Sequence, residues 1–370
     1  MRFQGNIFNY IFSGSEPQGS YKLGTKLLNY INGDILSEDF TPFTFGTISN
    51  LTFKGITYGC WSKDEYLGIN SDVSLDNLKK TGANYVALLV TQYMDTGTSN
   101  IIYPDEIKTP IDAAVIEAIA DIHNRNMKVM LDPYFDCKDG TWRGEINPSN
   151  TDTWFNNYNT FITHYAQIAK DNNVELLCIG KELTSMSGTY TSKWNWIIDN
   201  VKSIYNGSLT FCANFYIEYE KLPFWDKMDI AGINTYCDLV DESNPTPSLS
   251  EIVDGWSNSW NGHNWIQEFE NWQSTIQKPV IFTEIGYCSV DKAAYKPWDG
   301  PRDYPYNGDL QARCYEAVFN VFKNRDWFQG MFWWVWITDP NAGSVGNSYY
   351  RDYTPQNKPA EDVIKSWYTD

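Results

Sequence analysis

The sequence predicts an α/β fold, a (β/α)8 TIM barrel preceded by an irregular N-terminal extension. Three observations carry this. From Phe53 onward, eight short apolar runs alternate with amphipathic stretches of helical length. The runs are nearly continuous in apolar residues, as parallel strands covered on both faces are. No G-x-G-x-x-G or Walker A sequence follows an early strand, which argues against a dinucleotide-binding or nucleotide-binding sheet. Eight repeats favour closure into a barrel over an open doubly wound sheet.

In chain order, strands are predicted at 53–59, 85–91, 128–135, 175–182, 209–215, 229–236, 279–287 and 330–336. Helices are predicted at 74–81, 111–124, 153–171, 193–204, 260–276 and 310–324. The second helix is the plainest. Its Ile111, Ala114, Val115, Ala118, Ile119 and Ile122 recur at the spacing of one face laid on a sheet. Residues 1–52 are rich in Gly, Ser, Asn and Phe, lack a helical period, and read as an extension holding a short hairpin. The expected division is therefore 1–52 for the extension and 53–370 for the barrel, a length that one barrel with insertions accommodates.

Composition restricts the partners. A formal net charge of −18 opposes binding to nucleic acid or an anionic membrane surface, whereas a neutral polymer is indifferent to it. No run of 18 or more apolar residues is present, so no membrane span is expected. The aromatic share is 16%, with 16 Trp and 25 Tyr, whose flat apolar faces and polar edges suit stacking on sugar rings. The seven Cys contain no C-x-x-C pair and read as buried free thiols rather than a zinc site. Such thiols fit a reducing or anaerobic setting. The three His lack metal-ligand spacing, and no G-x-S-x-G elbow appears. Neither metal nor cofactor is expected, and the chain reads as a monomer. Its opening Met1-Arg-Phe-Gln-Gly-Asn-Ile-Phe shows no signal peptide, which leaves a cytoplasmic chain and a secreted chain with its leader removed both open.

Two apolar strands run straight into a glutamate: Glu182 ends the fourth and Glu284 lies near the end of the seventh. A carboxylate loses its water in such a place, so two of them suggest one shared cleft. Strands four and seven of eight face each other across a barrel mouth. The carboxyls can then approach to about 5–5.5 Å, the separation used by retaining glycosidases. One of the pair must carry a proton, and the charge of its neighbour raises its pKa. Long polar loops follow the third and seventh strands, at the end of a barrel where active sites are built. The first holds Trp142 and Arg143; the second holds Tyr295, Trp298, Tyr304 and Tyr306.

The segments Trp142-Arg-Gly-Glu-Ile146, Ile179-Gly-Lys-Glu-Leu183 and Phe282-Thr-Glu-Ile-Gly-Tyr287 resemble glycoside hydrolase family 113. The resemblance runs from about Lys54 to Trp336 and implies a retaining endo-β-1,4-mannanase with Glu182 as acid/base and Glu284 as nucleophile. Many members of that clan carry Asn before the acid/base, where it bonds the sugar 2-hydroxyl. Here the residue is Lys181, a substrate-side position whose ammonium would hold Glu182 ionised unless it points away.

Further site residues are expected from their chemistry. Tyr236 would hydrogen-bond Glu284. Asn214 and Asn234 would bond sugar hydroxyls. Asp132 would orient a neighbour or bind a hydroxyl. In Met331-Phe-Trp-Trp-Val-Trp336, alternation sends Trp334 and Trp336 to one face and Trp333 to the other. The clan resemblance implies that a Trp at the end of strand eight, Trp334 or Trp336, floors the central sugar. Trp61, Trp142 and Trp298 would stack at flanking subsites, and Arg143 would bond a sugar or brace a carboxylate. The expected function is double-displacement cleavage of β-1,4-mannosidic bonds in mannan or glucomannan, the partner being a β-linked oligo- or polysaccharide. The alternatives are a related barrel acting on β-glucan, xylan or galactan, and a non-catalytic carbohydrate-binding barrel.

Overall fold

A computed structural model describes residues 19–28, 35–45 and 51–369. The chain divides into two compact units, residues 1–50 and 51–370. In the first, β1 (Gly19–Leu28) pairs antiparallel with β2 (Ile35–Phe45), Gly19 standing opposite Phe45. This ladder is longer than a short hairpin. Tyr21, Leu23, Thr25 and Leu27 alternate with Ser20, Lys22, Gly24 and Lys26, a period-two signal within a stretch that has no helical one. The remainder of the extension, including the opening residues read for a leader, lies outside the described residues.

The second unit is a (β/α)8 barrel. Its strands are β3 (Phe53–Gly59), β4 (Tyr85–Met94), β5 (Lys128–Cys137), β6 (Leu176–Lys181), β7 (Ser208–Asn214), β8 (Ala231–Asn234), β9 (Val280–Ile285) and β10 (Phe328–Ile337). They close in chain order, β10 pairing with β3, and every pairing is parallel. All eight predicted strands are present. Three are shorter than expected: β6 stops one residue before Glu182, β8 stops before Tyr236, and β9 stops at Ile285.

The helices are α1 (Ile69–Lys80), α2 (Asp112–Asn124), α3 (Thr151–Asp171), α4 (Thr184–Ser187), α5 (Thr191–Ile204), α6 (Glu218–Lys221), α7 (Leu249–Gly255), α8 (Trp265–Ile276), α9 (Gly308–Phe322) and α10 (Pro359–Tyr368). In α2 the predicted stripe Ala114, Val115, Ala118, Ile119 and Ile122 is buried, while Ile111 stands before the first turn and is exposed. The helix expected from residue 260 begins at Trp265, because the Asn264 side chain caps it by accepting from Gln267 N. The unexpected α7 starts at a capping box, Ser248 with Glu251, whose S-x-x-E signal is present in the sequence.

Inside the barrel, Phe53, Tyr85, Ala87, Met130, Leu176, Ile281 and Phe332 form one apolar cluster. A second cluster, with Leu89, Tyr134 and Val335, contacts Trp61 and Trp334. All seven cysteines are free and buried. No helix among the described residues is long and apolar enough to cross a membrane.

One departure bears on the site. Between Trp333 and Trp336, β10 slips against β3: Trp333 pairs with Ile56, but Trp336 pairs with Tyr58. One extra residue in β10 reverses the alternation there. Trp333 stacks on Tyr315 of α9 at 3.8 Å, and Trp336 donates to Ser74 of α1 at 2.9 Å. Both therefore face helices. The expectation that Trp334 and Trp336 share a face is corrected, and Trp334 alone of the three reaches the cavity.

Candidate active site

The C-terminal ends of the strands surround a cavity of about 670 Å³. Glu182 and Glu284 both line it, at 8% and 6% exposure. Glu284 arrives within β9, whose register against β8 shifts just before it, Phe282 pairing with Ile233 and Glu284 with Asn234. Glu182 arrives differently. Between Cys178 and Lys181, β6 slips against β7, with Cys178 opposite Thr210 and Lys181 opposite Cys212. Glu182 then takes φ 48°, a left-handed conformation that costs energy for a residue with a side chain. The two irregularities turn consecutive side chains inward, where a plain strand would send them to opposite faces. Lys181 enters the barrel interior and Glu182 enters the cavity.

The two carboxylates have separate sets of donors. Glu182 Oε2 accepts from Arg143 Nη1 at 2.9 Å and from Trp142 Nε1 at 3.3 Å, and its Oε1 accepts from Asn214 Nδ2 at 3.2 Å. Arg143 is itself held by the Phe135 carbonyl and by Asp136, at 3.1 and 2.6 Å. Glu284 Oε1 accepts from Lys181 Nζ at 2.6 Å, and Oε2 accepts from Tyr236 Oη at 2.9 Å. Burial pushes the Glu284 carboxyl up; Lys181 opposes this, while Glu182 and Asp132 add to it. Burial alone would discharge Lys181, but Asp132 and Glu284 outweigh it and keep the ammonium. Burial, then the charge of Glu284, raises the Tyr236 phenol well above its ordinary range, so it stays a donor.

Tyr236, Asn214, Trp142, Arg143, Trp298 and Trp334 line the cavity with the two glutamates. Five other expected residues do not. Trp61 donates to the Tyr134 hydroxyl at 3.1 Å and stands edge-on to Trp334 at 6.5 Å. Trp336 lies against α1. Asn234 is fully buried, its Oδ1 accepting from Thr283, and has no route to a sugar. Asp132 is fully buried and pairs with Lys181 at 2.5 Å, away from the cavity. Lys181 is 2% exposed and points away from Glu182.

One group of described residues has metal-ligand geometry: atoms of Asp132, Cys178 and Cys212 lie within 4.8 Å of one another. A cation there would meet the Lys181 ammonium already on Asp132, which fits an ion pair better than a metal.

A barrel that brings two buried glutamates into one aromatic cleft points to glycosidic chemistry. Residues 56–358 match the model of Glycoside Hydrolase Family 113. This chain belongs to glycoside hydrolase family 113. It is similar to the solved β-mannanase AaManA of that family from Alicyclobacillus acidocaldarius in complex with ManMIm. Identity is 26% over 87% of this chain and 99% of that one, with a TM-score of 0.75. A complex structure of a family 113 β-1,4-mannanase matches at 26% identity over 86% and 99% of the two chains, with a TM-score of 0.74. The Ruminococcus gnavus β-glucuronidase, at 13% identity over 94% of this chain and 57% of that one, shares the fold alone, with a TM-score of 0.55. Among curated proteins no relative matches.

In this family 113 glycoside hydrolase the cavity wall also includes residues the sequence reading passed over. Phe215, Tyr216, Asp238, Trp265 and Tyr353 line the cavity. Tyr353 stands edge-on to Tyr236 at 6.2 Å, in a segment beyond the last strand where no periodicity marks it. Glu218 supports the cavity wall from behind. Its Oε2 accepts from Asn214 N and its Oε1 from Ser187 Oγ, both at 2.7 Å. Burial pushes this carboxyl from 4.5 up to about 8. A raised carboxyl binds its proton more tightly in the folded chain, so its stabilising effect is full below about 4.5 and is lost as pH rises through about 8. Glu218→Gln, neutral at every pH, is expected to flatten the fall in urea midpoint across that window. Parallel urea titrations of the two proteins check it.

Proposed function

We propose that this family 113 glycoside hydrolase is a retaining endo-β-mannanase using Glu284 as nucleophile and Glu182 as acid/base. The observation that carries the reading is the placing of two buried glutamates, from the fourth and seventh barrel strands, in one aromatic cavity with separate donors. The kinship with solved β-1,4-mannanases supports the substrate class.

Glu284 attacks the anomeric carbon while Glu182 gives its proton to the departing oxygen, leaving a mannosyl-enzyme ester. Arg143, Trp142 and Asn214 then receive the carboxylate that forms on Glu182, a charge-assisted set already in place before reaction. In the second step Glu182 takes a proton from water, the water attacks the same carbon, and Glu284 leaves as carboxylate. Tyr236 and Lys181, on its two oxygens, stabilise that leaving group. Trp334 supplies the floor of the central subsite, and Trp142 and Trp298 the flanking faces.

A panel of mannan, glucomannan, cellulose and xylan, with product anomers followed by proton NMR, tests the reading. Mannan and glucomannan are expected to be cleaved fastest, with β-anomers appearing first. Preference for xylan or cellulose overturns the substrate, and α-anomers overturn the mechanism. Mannan binding without cleavage supports a non-catalytic barrel instead.

A further inference from the structure

Lys181 stands where the clan resemblance puts a sugar-binding asparagine, yet the residue itself does not line the cavity. Its Nζ lies 2.5 Å from Asp132 Oδ2 and 2.6 Å from Glu284 Oε1, and the residue is 2% exposed. The rings of Tyr134 and Trp334 lie 4.5 and 5.3 Å from it. Two carboxylates and two aromatic faces enclose the ammonium. We propose that Lys181 and Asp132 form a positioning pair for Glu284: Lys181 holds the nucleophile ionised and aimed, and Asp132 limits how strongly it does so. This rests on the reading of Glu284 as nucleophile.

Two glutamates sharing a cavity must take opposite protonation states, and something must decide which one keeps the proton. The groups facing Glu284 are Lys181 and Glu182 at the end of β6, Asp132 from β5, Arg143 from the following loop and Tyr236 beyond β8. Arg143 spends its bonds on Glu182 and Asp136. Of the described cations, Lys181 alone makes an ion pair with Glu284. An undivided ammonium would hold the carboxylate too firmly, favouring its departure in the second step but weakening its attack in the first. At almost equal distance from Asp132 and Glu284, the ammonium divides its charge between them. The slip in β6 puts Lys181 inside the barrel, so the departure in sequence and the departure in backbone serve one purpose.

The pair predicts pH shifts of opposite sign. The acid limb of kcat/KM reports ionisation of the nucleophile in the free enzyme. Asp132→Asn removes a negative charge from behind Lys181 and is expected to move that limb down. Lys181→Met alone would strand Asp132 as a buried, unpaired carboxylate, so the cation is tested in the double variant Lys181→Met with Asp132→Asn. That variant is expected to move the limb above the wild-type value, and above that of Asp132→Asn by about 1–3 pH units, the effect of losing an opposite charge in contact. The limb is read from initial rates on soluble mannan and from covalent labelling by an activated 2-deoxy-2-fluoro-mannoside. Limbs that stay at the wild-type value, or move together in one direction, overturn the proposal. Should the double variant fail to melt cooperatively, the downward shift of Asp132→Asn alone decides. Failure of the functional reading looks different: wild-type protein inert on mannan, or Glu284→Ala still active.

Discussion

Glu284→Ala is expected to lower mannan hydrolysis by about 10⁴–10⁶-fold, the scale on which loss of a covalent nucleophile acts. With the carboxylate gone, no glycosyl-enzyme ester can form, and the remaining groups can only bind and polarise. The fold should survive. Removing a nearly buried carboxylate also removes its desolvation cost, and Lys181 keeps Asp132 as its partner. A cooperative melt near that of the parent, alongside lost activity, is the expected pair of results. Glu284→Gly sharpens the test, because the space it opens admits a small anion. With azide and an aryl β-mannobioside, the variant should form an α-mannobiosyl azide, inverted at the anomeric carbon. Activity retained by Glu284→Ala, or an azide adduct of retained configuration, removes Glu284 from the nucleophile's role.

Glu182→Ala should divide the two chemical steps. For mannan, whose leaving oxygen needs a proton, the expected loss is about 10²–10⁴-fold, the ordinary worth of general acid catalysis. A dinitrophenyl mannobioside leaves without a proton, so its first step should be nearly unaffected while the second, which needs a base, slows. Pre-steady-state kinetics should then show a burst of dinitrophenol followed by slow turnover. Azide should accelerate that turnover and give a β-configured product, the opposite of the Glu284→Gly result. Arg143 retains Asp136 at 2.6 Å, so the wall of the cavity is not left with an unpaired cation. An equal loss on both substrates would mean that Glu182 positions the sugar and transfers no proton.

Both glutamates, Tyr236 and the order of the eight strands are legible in the sequence because they depend on near-neighbour patterns. A continuous apolar run marks a strand covered on both faces, and an acidic residue at its end marks the barrel mouth. The aromatic loops after the third and seventh strands are legible for the same reason, and Trp142, Arg143 and Trp298 all reach the cavity. For Trp336, Lys181 and Glu182, a register slip is what pattern reading misses. Alternation places Trp336 beside Trp334, but the extra residue in β10 turns it against α1. Alternation also gives no reason for Lys181 and Glu182 both to face inward, which takes the slip in β6 and the left-handed backbone at Glu182.

The sequence by itself determined the barrel and the two strand-end glutamates that line its cavity. These follow from local periodicity and from the price of hiding charge. Only the tertiary structure decided what each carboxylate touches. It set Arg143 on Glu182 and Lys181 on Glu284, withdrew Asp132 and Asn234 from the cavity, and brought Tyr353 to its wall from beyond the last strand. Partner choice in a low-dielectric interior depends on a few tenths of an ångström between residues far apart in the chain, and no spacing rule encodes such distances.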